Sequence, residues 1–220
     1  MLTSSEENYL KAIYHLSGPK HVPVSTNAIA EALDTKAASV TDMIKKLDKK
    51  RLVTYHRYQG VAPSPRGLVE ALKIVRKHRL WEVFLVNKLK FRWDEVHDIA
   101  EQMEHISSPR LINRLERFLG NPQFDPHGDP IPTEEGEIPV LSQTCLLDAK
   151  PNLKCTITSV NSDERAFLKY LDKLGAYIGA TIQVLDHIEF DGSLEVSIDN
   201  QSSVFISKEA AQNIQISDRS

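Results

Sequence analysis

The chain has 220 residues, 41% of them hydrophobic, with 27 Lys and Arg against 30 Asp and Glu for a net charge of −3. That length allows one large or two small domains, and the apolar content excludes a mostly disordered polypeptide. Only Cys145 and Cys155 are present, which excludes a disulfide framework or a four-cysteine zinc site, and with no ~20-residue apolar run and a polar Thr3–Glu7 start a cytoplasmic protein away from membranes is expected.

Ser4 or Ser5 is expected to cap a first helix with the apolar stripe Tyr9, Leu10, Ile13, Tyr14 and Leu16, stopped by Gly18-Pro19. Val24-Ser25-Thr26 opens a second helix, Asn27 to Leu33, and after the break Asp34-Thr35-Lys36 a third runs from Ala37 to Lys50. Two short helices around a tight break form a helix-turn-helix pattern. Leu52 to Tyr58 reads as a strand, Gln59-Gly60 turns, and Val61-Ala62-Pro63 returns, which makes a wing. A long helix is expected from Leu68 to Leu89, and Trp93-Asp94 is expected to cap another from Glu95 to His105. Ser107-Ser108-Pro109 restarts a helix with Leu111, Ile112, Leu115, Phe118 and Leu119 on one face, a candidate dimer surface or an ordinary core stripe.

Gly120 to Pro151, rich in proline, glycine and acid, reads as a domain boundary. Beyond it, Lys154–Val160, Thr181–Phe190, Leu194–Ile198 and Ser203–Ile206 read as strands, with a helix from Asp163 to Leu174 and a hairpin turn at Asp191-Gly192. The expected architecture is mostly α with a small β domain. A winged helix-turn-helix occupies residues 1–72, a helical dimerisation region with an acidic linker 73–140, and an SH3-like β-barrel 150–220.

Charge is uneven along this plan. From Asp34 to Arg79 there are 12 basic and four acidic residues, +8, whereas Gly120 to Thr144 carries five acids and no Lys or Arg. A basic segment on a winged helix points to a polyanion, here double-stranded DNA. The exposed positions of the third helix are Lys36, Ala37, Ala38, Ser39, Thr41, Asp42 and Lys45. The alanines fit thymine methyls, Ser39 and Thr41 can bond phosphate or base edges, and Asp42 can accept from cytosine. Lys45, Lys46 and Arg57 suit phosphate, and Ser25 and Thr26 at the start of the second helix complete the expected DNA-binding set.

Four of the eight histidines fall between His78 and His127. His78 and Glu82 are i, i+4 on one helix. On the next, relative to His97, an ideal helix places Glu101 at about +40°, Glu104 at about −20° and His105 at about +80°. Two imidazoles and two carboxylates on one face repel or desolvate badly unless a cation joins them, so a divalent metal is expected. Nitrogen and oxygen donors without thiolate suit Mn2+, Fe2+, Co2+ or Zn2+, and abundant carboxylate leans towards Mn2+.

The winged helix, then Arg76-Lys77-His78-Arg79-Leu80-Trp81-Glu82, Val96-His97-Asp98, Glu104-His105 and Gly128-Asp129-Pro130-Ile131-Pro132 together resemble the diphtheria-toxin-repressor family of metal-dependent bacterial repressors. The resemblance covers nearly the whole chain. It implies a primary metal site from Asn8, His78, Glu101, Glu104 and His105. Glu101 stands where iron-type members have cysteine, which is similar to the manganese branch. Asn8 stands where that branch has aspartate, and Lys11 where some members have a second-metal glutamate. An ancillary site is implied from Glu82, His97, Asp125, His127 and Asp163, with Asp125 replacing a linker cysteine. The iron type assigns His78 to that site, so its place stays open.

The function implied is a Mn2+-activated homodimeric repressor of metal-ion homeostasis, with Fe2+ the alternative and Zn2+ or Co2+ able to bind in vitro. A winged-helix regulator sensing an organic ligand is a rival. A dimetal enzyme is another, but no second Glu-x-x-His motif, phosphate-binding glycine loop or nucleophile elbow accompanies the stripe, so neither catalysis nor a small organic substrate is expected.

Overall fold

A computed structural model describes residues 2–56, 58–138 and 144–218. Arg57, one of the expected phosphate contacts, lies outside the described residues. The chain divides into two compact units: Met1–His78 with Glu101–Asn113 and Ile131–Ile138, and Arg79–Ala100 with Arg114–Pro130 and Pro139–Ser220.

The first unit opens with helix α1 (Ser4–Ser17). Its cap is Thr3, one residue earlier than expected, because Thr3 and Glu6 form a reciprocal capping box that satisfies two otherwise orphaned N–H groups. Helix α2 (Thr26–Ala32) is capped by Ser25, whose hydroxyl accepts from the Ala28 N–H, and helix α3 (Ala37–Lys49) follows. Strands β1 (Val53–His56) and β2 (Gly60–Pro63) form the antiparallel wing. Val24 adds a bridge to Val61, and there glycine is required: Gly60 has φ +121°, and a Cβ on it would stand 2.0 Å from the Val24 carbonyl oxygen. Leu10, Ile13, Ile29, Val40, Ile44, Leu47 and Val61 close one core. The apolar phases of α1 and α3 therefore meet, and removing a side chain such as Leu47 would cost about 2–5 kcal/mol.

Helix α4 (Pro65–Asn87) starts earlier than the apolar periodicity implies. Pro65 is preset for a first helical turn, and Ser64 Oγ accepts the Gly67 N–H. Helix α5 is shorter than expected, His97–Met103. Asp94 does not cap it: its carboxylate faces Arg92 and Arg165 instead. At the other end the Ile106 N–H bonds to Met103 O, so Glu104 and His105 sit on a turn and not on the ideal helical stripe. In helix α6 (Pro109–Phe118), Ile112 and Leu115 are buried while Leu111 and Phe118 are exposed, so the expected apolar face is only half covered within the chain.

The second unit is built on a six-stranded antiparallel sheet. In chain order its strands are β3 (Thr144–Cys145), β4 (Lys154–Val160), β5 (Thr181–His187), β6 (Leu194–Ile198), β7 (Val204–Ile206) and β8 (Ile214–Asp218). Their spatial order is β3-β8-β4-β5-β6-β7. Strand β6 illustrates the alternation, with Leu194, Val196 and Ile198 buried between half-buried Glu195 and Ser197. Helix α7 (Arg165–Leu174) contributes Leu168 and Leu171 to the same core, and a short α8 (Lys208–Gln212) leads into β8. Strands β3 and β8 and helix α8 were not expected from the sequence.

Candidate metal centre and nucleic-acid interface

In the first unit, Lys36, Ala37, Ala38, Ser39, Thr41, Asp42, Lys45 and Lys46 are all exposed on α3, because Val40, Ile44 and Leu47 take the buried phase. Two of these polar groups already have local partners. Thr41 Oγ1 donates to Ala37 O at 3.0 Å, and Lys45 pairs with Asp42 at 3.2 Å. Ser25 is exposed but spends its hydroxyl on the α2 cap, and Thr26 is half-buried.

The same unit gathers a carboxylate–imidazole cluster. One donor atom each from His78, Glu101 and Glu104 lies within 4.8 Å of the others. Glu104 is fully buried and takes His78 Nδ1 at 2.7 Å. Burial pushes the Glu104 carboxyl up, but the His78 bond and the Lys11 charge outweigh it and hold the group below its ordinary value. Lys11 reaches in from α1, 2.5 Å from Glu101 Oε1 and 2.7 Å from Glu104 Oε1. His105 turns Nδ1 to Glu7 Oε2 at 2.7 Å, and Glu7 also pairs with Lys77 at 3.2 Å. A carboxylate can only accept, so His105 Nδ1 carries a proton here, and it is Nε2 that would offer a lone pair in the neutral ring. Asn8, one helical turn before Lys11, holds a buried Oδ1 with no hydrogen-bond partner. Such an atom costs free energy unless something polar meets it, and an amide oxygen is a suitable donor for a hard cation.

The second unit assembles Glu82, Asp125 and His127 within the same 4.8 Å limit. Glu82 is 2% exposed and lies 3.8 Å from both His127 Nδ1 and His97 Nδ1, while His97 Nδ1 is 3.0 Å from Asp163 Oδ2. Sequence reasoning placed Asp163 here only through the resemblance. His127 is held by Trp93, whose ring stacks on it with centroids 6.0 Å apart and whose carbonyl lies 3.0 Å from Nε2. The loop that delivers Asp125 and His127 is a tight turn: Asp125 Oδ1 accepts from the His127 and Asp129 N–H groups, and Gly128, at φ +84°, approaches Thr158 so closely that a Cβ would stand 2.0 Å from its carbonyl oxygen. Asp125 Oδ2 faces Arg79 Nε at 3.3 Å, so this carboxylate is shared between turn, guanidinium and cluster.

Protonation balances these acids. Hydrogen bonding to Asp163 and then Glu82 raises His97 to about 10 against burial, and Asp163 is held at about 2 by His97. Burial alone would depress His127, but Glu82 and Asp125 carry it to about 9. Burial, then the charges of Glu82 and Asp129, push Asp125 up to about 7. Imidazolium protons thus stand where a divalent cation would serve equally well, and the donors are nitrogen and oxygen throughout.

Sequence reasoning missed Glu7, Arg79 and Asp129 as parts of these clusters, and read Lys11 only as a non-ligand. The signal for Glu7 and Lys11 was their i, i+4 spacing around Asn8.

Residues 1–61 match the family described as iron dependent repressor, N-terminal DNA binding domain, residues 64–133 its metal binding and dimerisation domain, and residues 144–218 the FeoA domain. A solved manganese-dependent transcriptional repressor in complex with manganese is 36% identical, with a TM-score of 0.88, over 97% of this chain and 99% of that one. The diphtheria toxin repressor of Corynebacterium jeikeium is 26% identical over 92% of both chains. The iron-dependent repressor IdeR of Mycobacterium tuberculosis is 33% identical over 131 residues, which span 60% of this chain and 56% of that protein. The chain belongs to the family of metal-dependent transcriptional repressors that includes the diphtheria toxin repressor.

Proposed function

We propose that this chain is a repressor of metal-ion homeostasis that binds double-stranded operator DNA as a homodimer when loaded with Mn2+. The observation that carries the reading is the cluster of His78, Glu101 and Glu104 joined to α1, because α1 shares its core with the recognition helix α3. Asn8, His78, Glu101, Glu104 and His105 would hold the primary ion, and Glu82, His97, Asp125, His127 and Asp163 a second one. The donor chemistry fits, with an orphaned amide oxygen at Asn8 and no thiolate in either cluster. A bound divalent ion supplies the charge that draws these carboxylates and imidazoles together.

The protein groups do the rest. Glu7 fixes the His105 tautomer so that Nε2 is the available donor. Leu10 and Ile13 lock α1 to Val40 and Leu47, so ordering the ligands also orders α3. The exposed lysines of α3 meet phosphate, while Ala37, Ala38, Ser39 and Asp42 face bases. Leu111 and Phe118 on α6 offer apolar surface for a second copy, which would set two recognition helices about 34 Å apart. By linkage, DNA tightens metal binding by the factor that metal tightens DNA binding. The role is regulatory and not catalytic. Among the described residues no helix is long and apolar enough to cross a membrane.

Iron is the second reading, supported by relatives named as iron-dependent. Zn2+ and Co2+ would bind in vitro, since softness does not separate them at such donors. Fluorescence anisotropy of operator-length DNA at fixed salt tests the function. Binding should tighten with Mn2+ relative to chelator, and anaerobic Fe2+ run alongside ranks the metals. Equal affinity in both conditions would refute metal activation.

A further inference from the structure

The primary cluster contains a cation of its own. The Lys11 ammonium contacts both Glu101 and Glu104, and its side chain is only 12% exposed. It comes from α1, whereas both carboxylates come from the segment that begins with α5. With Glu101 and Glu104 brought this close, some positive charge must stand between them, and in the metal-free chain Lys11 provides it.

We propose that Lys11 is a built-in competitor for the metal: its ammonium closes the primary site in the absence of a divalent ion and must give up Glu101 and Glu104 when one is held. This rests on the reading of the site given above. Two consequences follow from the charge balance. Lys11 docks α1 to the ligand segment without metal, so the metal-free protein is already partly ordered. It also sets the threshold for loading, since the ion has to displace a salt-bridged ammonium and then tolerate it nearby. A lysine that merely propped up the ligands would have the opposite effect on affinity, because its loss would loosen the site. The sign of the change therefore separates the two roles.

The test compares wild type with Lys11→Gln by calorimetric Mn2+ titration and by thermal unfolding in chelator. Lys11→Gln should bind Mn2+ at the primary site about tenfold tighter, the factor expected for losing one partly buried ionic competitor. In chelator it should unfold at a lower temperature, because Glu101 and Glu104 then face each other without the ammonium between them. Unchanged or weaker Mn2+ binding by a folded Lys11→Gln protein overturns the proposal while leaving the metal-repressor reading intact. Acylation footprinting of wild type by mass spectrometry gives an answer that needs no variant. Lys11 should label faster in saturating Mn2+ than in chelator, and equal labelling also overturns the proposal. A wild-type chain that takes up no Mn2+ at all overturns both the proposal and the reading beneath it.

Discussion

The two carboxylate–imidazole clusters solve the same electrostatic problem with different chemistry. In the first unit, Glu101 and Glu104 are held together by a fixed cation, Lys11, with His78 alongside. In the second, Glu82, Asp125 and Asp163 are balanced by imidazoles raised to about 9 and about 10, with Arg79 at the edge. The Lys11 ammonium stands between the two carboxylates and has to be moved aside bodily to make room for another cation. The imidazoliums of the second cluster, raised above their ordinary value by the carboxylates around them, give up their protons when another cation takes over that charge. The first cluster is therefore expected to exchange one cation for another, and the second to exchange protons for a cation.

The sharpest way to break this comparison is to remove the shared centre of each cluster. Glu104→Gln keeps the shape of a fully buried side chain but deletes the charge that His78 and Lys11 both face. Its Mn2+ affinity at the primary site should fall by about 100-fold or more, judging from the 10–100-fold typical of mere supporting residues. DNA binding should then lose its Mn2+ response and keep only a salt-sensitive background, read by anisotropy. Glu82→Gln is the matching change in the second unit. Titration should show one ion bound per chain instead of two, with primary-site affinity retained. If Glu82→Gln silences the primary ion as strongly as Glu104→Gln does, the clusters are not separate sites.

A milder change probes the scaffold of the second cluster without touching a donor. Gly128→Ala would push a Cβ to 2.0 Å from the Thr158 carbonyl oxygen and force alanine to φ +84°. The turn must shift, at a cost of about 1–3 kcal/mol. Calorimetry should find the second ion weakened and the first unaffected.

How much of this was legible in the sequence depended on the range of the signal. Helix α3 was readable because Val40, Ile44 and Leu47 repeat at helical spacing and the structure buries all three. The C-terminal end of α5 was not, because periodicity carries no information about where a backbone stops, and here the Ile106 N–H closes on Met103. Strand β8 alternates only over Ile214 to Ser217 and gains its meaning by lying between β3 and β4, contacts that no local pattern announces. At the sites, donor types were visible from composition and spacing. The counter-charges were not, since Lys11 and Glu101 are 90 residues apart in the chain.

The smallest predicted effect lies on a pair that should ignore metal altogether. Asp94 is buried beside Arg92 and Arg165, and Lys169 adds charge at 3.9 Å. Burial pushes its carboxyl up, but the Arg92 hydrogen bond and charge, with Arg165 and Lys169, win and leave it below its ordinary 3.8. A carboxyl whose folded value is depressed stabilises the fold above the unfolded value and loses that contribution as pH falls through the folded one. Asp94→Asn should therefore destabilise the protein by roughly 1 kcal/mol at neutral pH, a modest figure because its partners are largely solvated. The difference should shrink as pH falls below 3.8 and on through the lowered folded value. Denaturant melts of both proteins at several pH values, each with Mn2+ and with chelator, would measure it. The Asp94→Asn deficit should be the same with and without metal, because a fixed ion pair outside both ligand sets has no cation to exchange. A deficit that vanishes on adding Mn2+ would mean that Asp94 belongs to the neighbouring cluster, and that the second unit balances its acids with arginine as well as with imidazole.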